Sequence, residues 1–287
     1  MKSSDLNIVI AQHPKTSKIQ QKTIFGALAW MPFALILGGM TPMQAQLPIQ
    51  FPMVVAQAKP QISAVDLYNR GVDQLENGDY KAAIALFDQA LKINSQDADA
   101  FYNRAYAYSL LGSYSEAIKD YTQAINLKPD FGDAYSNRAY AYYVAGNYQA
   151  AIADCTQAIR INPKNADAYI YKGNAYDDLG EHLAAIENYN QALTIDPKNA
   201  KAYYNRALGY NRQKNHLKAI EDYTQSVRLD SGFAEAYYNR GVSSLQLGKK
   251  SEAIEDLRKA ADIYLSQKKT QNYQSAIALV KQLQQTQ

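Results

Sequence analysis

The chain has 287 residues, 47% of them hydrophobic and 20% charged, with a formal charge of +3, one cysteine and three histidines. A lone cysteine makes no internal disulfide, and near-neutrality argues against a nucleic-acid binder, which needs a positive surface to meet phosphates. The sequence holds no nucleotide-binding loop, no nucleophile beside a base and no metal-spaced His/Cys set, so no catalysis, cofactor or metal is expected.

Residues 1–60 carry five lysines and one aspartate, a local +4 that leaves −1 for the rest of the chain. Lys15, Lys18 and Lys22 precede an apolar run, Thr23 to Met40, that contains the single tryptophan, Trp30. Basic, then apolar, then small and polar is the order of a secretory signal, and Ala56-Gln57-Ala58 fits the small-x-small cleavage rule better than Gln44-Ala45. The alternative is an uncleaved anchor formed by residues 23–40, a run of borderline length for a bilayer, weakened as a helix by Pro32 and Gly38-Gly39. Residues 1–45 therefore read as signal peptide or membrane anchor, and either one places the remainder of the chain across a membrane. Residues 46–62, with Pro48, Pro52 and Pro60 among Gln and Ala, read as a flexible linker.

From Ala64 a word returns every 34 residues: Tyr68-Asn69-Arg70-Gly71, Tyr102-Asn103-Arg104-Ala105, Ser136-Asn137-Arg138-Ala139, Tyr204-Asn205-Arg206-Ala207 and Tyr238-Asn239-Arg240-Gly241. Six rows start at Ala64, Ala98, Gly132, Ala166, Ala200 and Ala234. Their eighth, twentieth and twenty-seventh columns hold small residues, which lets helices cross closely. Large apolar residues recur between them at helical spacing, as in Ile84, Phe87 and Leu91. Asn77-Gly78, Leu111-Gly112, Ala145-Gly146, Leu179-Gly180 and Leu247-Gly248 end the first helix of a row, and row five uses Lys214-Asn215, where Asn is expected to take the left-handed cap. Pro129, Pro163 and Pro197 close the second helix, with Ser95 and Ser231 in the equivalent place of two other rows. A fixed period of this size means one helical unit in tandem, each burying its apolar face against its neighbours.

These columns resemble the tetratricopeptide repeat family over residues 63–266. The resemblance implies an all-α, right-handed α-α superhelix of six helix-turn-helix repeats that binds a protein or peptide in its concave face. Residues 267–287 add a capping helix and tail: Tyr273, Ala276, Ile277, Val280 and Leu283 form an apolar stripe, with Gln271, Gln274, Lys281 and Gln282 opposite. The phrasing of the repeats is also similar to exported repeat proteins abundant in cyanobacteria, which implies the periplasm or thylakoid lumen.

In this resemblance the first helix of each row lines the groove, and its sixth column reads Asn69, Asn103, Asn137, Tyr171, Asn205 and Asn239. An amide offers two donors and an acceptor, which suits the backbone of an extended chain and equally suits a local helix contact. The pattern resembles the asparagine ladder of the protein O-linked N-acetylglucosamine transferases, without their catalytic domain. Tyr102, Tyr204 and Tyr238 in the fifth column, with Tyr106, Tyr140 and Asn174 in the ninth, complete the candidate groove. The family's carboxylate clamp needs lysines in the second and fifth columns; here the fifth holds none and the second holds only Lys201, so the clamp is absent.

The seventh column, Arg70, Arg104, Arg138, Lys172, Arg206 and Arg240, faces a twenty-third column with Asp120, Asp154, Asp222 and Asp256, so it reads as structural pairs. His182 and His216 stand where other rows have Tyr80, Tyr114 and Tyr148, and Cys155 stands in a core column; all three read as packing residues. Asp177, Asp178 and Glu181 read as a solvated acidic patch. The expected function is a noncatalytic scaffold or assembly factor holding an extended segment of another exported protein. The alternative is an architectural, self-associating component of an envelope or thylakoid membrane complex.

Overall fold

The computed structural model describes residues 62–285, so the expected signal or anchor and nearly all of the linker lie outside the described residues. The repeat frame becomes helices directly. Row one is α1 (Ala64–Glu76) and α2 (Tyr80–Ile93), row two α3 (Ala98–Leu110) and α4 (Tyr114–Leu127), and row three α5 (Gly132–Val144) and α6 (Tyr148–Ile161). Row four is α7 (Ala166–Asp178) and α8 (His182–Ile195), row five α9 (Ala200–Arg212) and α10 (His216–Leu229), and row six α11 (Ala234–Gln246) and α12 (Lys250–Ser266); α13 (Thr270–Gln285) comes last. The described residues hold these thirteen helices and no strand. Each helix packs on the one before and the one after, which is the superhelical array of helix pairs that the period demands.

The core is repeated, one piece per row. Phe87, Tyr121, Cys155, Tyr189, Tyr223 and Leu257 occupy the twenty-fourth column and are 0–1% exposed. The eighth column lies against them. A Cβ on Gly71 would fall 2.7 Å from the Phe87 ring, and one on Gly173 would fall 2.6 Å from Tyr189, so those rows need glycine to admit the ring. The twentieth column is alanine throughout and fully buried.

The turns obey local chemistry. Gly78, Gly112, Gly146, Gly180 and Gly248 have φ between 73° and 83° and end their first helices in the left-handed region. Row five departs from expectation: Lys214, at φ 59°, takes that conformation, while Asn215 caps α10 and accepts from the Lys218 amide. Between rows, Lys128, Asn162 and Asp196 are extended before Pro129, Pro163 and Pro197, with φ of −135°, −130° and −124°. Asn94 and Asp230 adopt the same conformation before Ser95 and Ser231, at −127° and −133°, so the turn keeps its shape without proline.

At the far end α13 packs on α12. It buries Ala276 and Val280, half-buries Tyr273, Ile277 and Leu283, and exposes Gln271, Gln274, Lys281 and Gln282. The expected stripe therefore closes the array.

Candidate functional site

The first helices of rows one, two, four and five start with a capped turn that fixes their rotation: Ser63, Asp97, Asn165 and Asn199 accept from the opening amides of α1, α3, α7 and α9. That rotation aims the sixth column back at the fifth column of the preceding row. The Asn103 side-chain amide donates to the Tyr68 hydroxyl at 2.8 Å, Asn137 to Tyr102 at 2.8 Å, and Asn239 to Tyr204 at 3.0 Å. Asn103 is fully buried and Asn137 is buried. The ladder is thus built into the seams between rows, and of the two roles its amides can play, these three serve the local contact.

Rows four and five break the pattern. Tyr171 replaces asparagine and is buried with its ring centroid 5.1 Å from that of Tyr140, itself buried. Ile170 offers no hydroxyl, so Asn205 donates instead to Asn174 Oδ1 at 2.9 Å, an oxygen that also accepts from the Tyr189 hydroxyl at 2.8 Å. Tyr102 is fully buried, whereas Tyr106, Asn174, Tyr204, Asn205, Tyr238 and Asn239 are half-buried and Asn69 is exposed. The accessible part of the expected groove is therefore this second group.

Between α5, α7 and the turn joining α6 to α7 lies a cavity of about 210 Å³, lined by Tyr102, Asp133, Ser136, Asn137, Lys164 and Asp167 among others. Burial pushes the Asp133 carboxyl up, with Lys128 opposing. Asp167 is pushed up to about 6, first by burial and then by Asp196, with Lys201 opposing. Composition gave no sign of this cavity. The signal was present in the columns, where Ser136 interrupts a run of tyrosines.

The basic column is structural. Arg104, Arg138, Arg206 and Arg240 each make a two-pronged pair with Asp120, Asp154, Asp222 and Asp256, with every N–O distance 2.7 or 2.8 Å. A third contact reaches back one row, from Arg138 to Thr122 at 2.9 Å and from Arg206 to Asn190 at 2.6 Å, while Arg104 takes Asp88 at 2.5 Å. These partners share the twenty-fifth column, whose polar run was readable in the sequence. Burial pushes the Asp120 carboxyl up despite the Arg104 hydrogen bonds. In row four Lys172 replaces arginine, and the Asn188 amide is donated to the Ala184 carbonyl at 2.8 Å.

The expected solvated patch in row four is corrected at one residue. Asp177 is 8% exposed, accepts from or shares a proton with His182 Nδ1 at 2.7 Å, and pairs with Arg212 of row five. His216 makes the equivalent contact with Asn211, 3.0 Å away, and Asn211 donates to Ser243 at 2.8 Å. The histidines therefore join the two helices of a row through polar contacts. Cys155 is fully buried, and burial pushes its thiol well up, so it is held as a protonated packing group.

Tetratricopeptide repeat family models match residues 98–131 and 132–165, 74–112 and 173–214, 155–187, 200–233 and 234–266, together a continuous 74–266. No curated protein matches the chain. Among solved structures, MamA is 26% identical with a TM-score of 0.54, over 60% of this chain and 94% of its own. YrrB, described as a TPR protein with an unusual peptide-binding site, is 24% identical with a TM-score of 0.51, over 62% of this chain and 91% of its own. A tetratricopeptide repeat protein from Parabacteroides merdae is 22% identical with a TM-score of 0.59, over 75% of this chain and 84% of its own.

Proposed function

Because the chain belongs to the tetratricopeptide repeat family, we propose that it is a noncatalytic scaffold that holds an extended segment of a partner protein along its first helices. The observation that carries this reading is the state of that face. Most apolar side chains are buried between rows, while Tyr106, Asn174, Tyr204, Tyr238 and Asn239 stay half-buried on the first helices. Tyrosine joins a rigid apolar ring to a polar tip, which suits a face that must grip without dissolving. The described peptide-binding site of YrrB, a protein of the same fold, supports the class of ligand.

The N-terminal segment belongs to the same proposal: residues 1–45 export the array to the periplasm or thylakoid lumen, or residues 23–40 anchor it there. Among the described residues no helix is long and apolar enough to cross a membrane. Cleavage after Ala58 removes Trp30, the only tryptophan, so the mature protein loses indole emission; retained emission favours the anchor.

A second reading, self-association through an edge, is favoured by Leu183 and Leu217, which share a column in adjacent rows and are 75% and 60% exposed. The two readings separate in a crosslinking pull-down from the native envelope fraction. Tyr106→Ala with Tyr238→Ala abolishes capture if the groove holds the partner. Capture lost only with Leu183→Ser and Leu217→Ser supports the edge.

A further inference from the structure

The cavity opens where the repeat lacks its own tyrosine. The fifth column holds Tyr68, Tyr102, Tyr204 and Tyr238, a large Ile170 in row four, and only Ser136 in row three. Replacing a phenol ring by a hydroxymethyl group leaves the seam between α5 and α7 unfilled, and about 210 Å³ is several times the space one water needs. Ser136 is 3% exposed, lines the cavity, and makes no hydrogen bond to another described residue. Its hydroxyl is both a donor and an acceptor for whatever fills the cavity.

The rim gives that partner its charge. Asp133 on α5 and Asp167 on α7 both line the cavity, and neither forms an ion pair with a described residue. Their charged surroundings are Lys128 near Asp133, Asp196 and Lys201 near Asp167, and Lys164 on the connecting turn. Lys164 is solvent-exposed, so its ammonium stays hydrated while the two carboxylates are the partly buried pair. Burial holds both carboxyls up although lysines lie nearby, and a guanidinium brings planar donors that two carboxylates can share.

We infer that this cavity is an anchoring subsite for an arginine side chain of the extended partner segment. The aliphatic stem takes the place of the missing tyrosine ring, and the guanidinium sits between Asp133 and Asp167 within reach of Ser136. The inference rests on the groove as the binding face and adds to it a sequence preference that the seams of the other rows do not supply.

The test uses the full chain and fluorescein-labelled nonapeptide pools, with flanks randomised over small and polar residues and the centre fixed as arginine, leucine or glutamate. Fluorescence anisotropy is expected to give the arginine pool about fivefold tighter binding than the leucine pool, and the glutamate pool the weakest. Asp133→Asn with Asp167→Asn, which keeps side-chain shape, should remove the preference and leave the leucine pool unchanged. Ser136→Tyr, which restores the column's own residue, should also remove it; if that variant melts early, the double Asn variant decides alone. Equal binding of the arginine and leucine pools, or a preference that survives the double Asn change, overturns the subsite and leaves the groove standing. Failure of every pool to bind overturns the groove and the subsite with it.

Discussion

The Asn137 amide lies 2.8 Å from the Tyr102 hydroxyl of the row before, and both side chains are buried. A residue type suited to gripping a ligand backbone is here a rivet between repeats. Truncation to alanine leaves a buried phenol hydroxyl short of its donor, a loss of about 1–3 kcal/mol. Asn137→Ala should therefore lower the urea midpoint, and Tyr102→Phe should cost less when made on top of it than alone. Additive losses would place the bond outside the stability of the array.

The arginine seams make a second prediction. Arg138 is tied to Asp154 by two hydrogen bonds and to Thr122 by a third, with the Arg138 side chain 14% exposed. Removing one partner of a largely buried pair strands the other, so Arg138→Ala should cost ~3 kcal/mol. Row four lacks the pair, and Lys172→Arg with Asn188→Asp should add about 0.5–1 kcal/mol, visible as a raised midpoint with unchanged slope.

Lys214 holds a conformation that five other first-helix ends give to glycine. An L side chain at φ 59° costs about 1 kcal/mol relative to glycine. Lys214→Gly should raise the thermal midpoint, and a lowered midpoint would mean that the lysine side chain contributes more than its backbone costs.

Asp167 sets a pH dependence. Its carboxyl is raised in the folded chain to about 6, so folding disfavours its charge. The cost is absent below the unfolded carboxylate range, grows as pH rises from about 4 to about 6, and is complete above that. Asp167→Asn should stabilise the array by about 1–2 kcal/mol at pH 7 and by almost nothing at pH 3.5. Equal effects at both pH values would remove burial of this charge as the cause.

Much of the architecture was legible in the residues alone. A 34-residue frame set the helix starts, because small columns at eight, twenty and twenty-seven have no other use in a solenoid. The arginine column was readable because its aspartates sit 16 residues on, at a fixed offset across the pair. Rotation was beyond the columns. Asn137 on a first helix faces either the groove or the next row, and a few tens of degrees decide it. The cavity at Ser136 was hidden for a related reason: a small residue in a tyrosine column signals space only once the neighbouring helix is known not to fill it. Asp177 was read as solvated because its partners, His182 and Arg212, come from a second helix and a second row.

The groove as the binding face is tested most directly by site-specific photocrosslinking in native membranes. p-Benzoylphenylalanine is placed in turn at Tyr106, Asn174 and Tyr238 on the first helices and at Leu183 and Leu217 on the edge. A scaffold that holds its partner along the first helices gives a shared adduct from the first three positions and none from the last two. An adduct from Leu183 and Leu217 alone would contradict it.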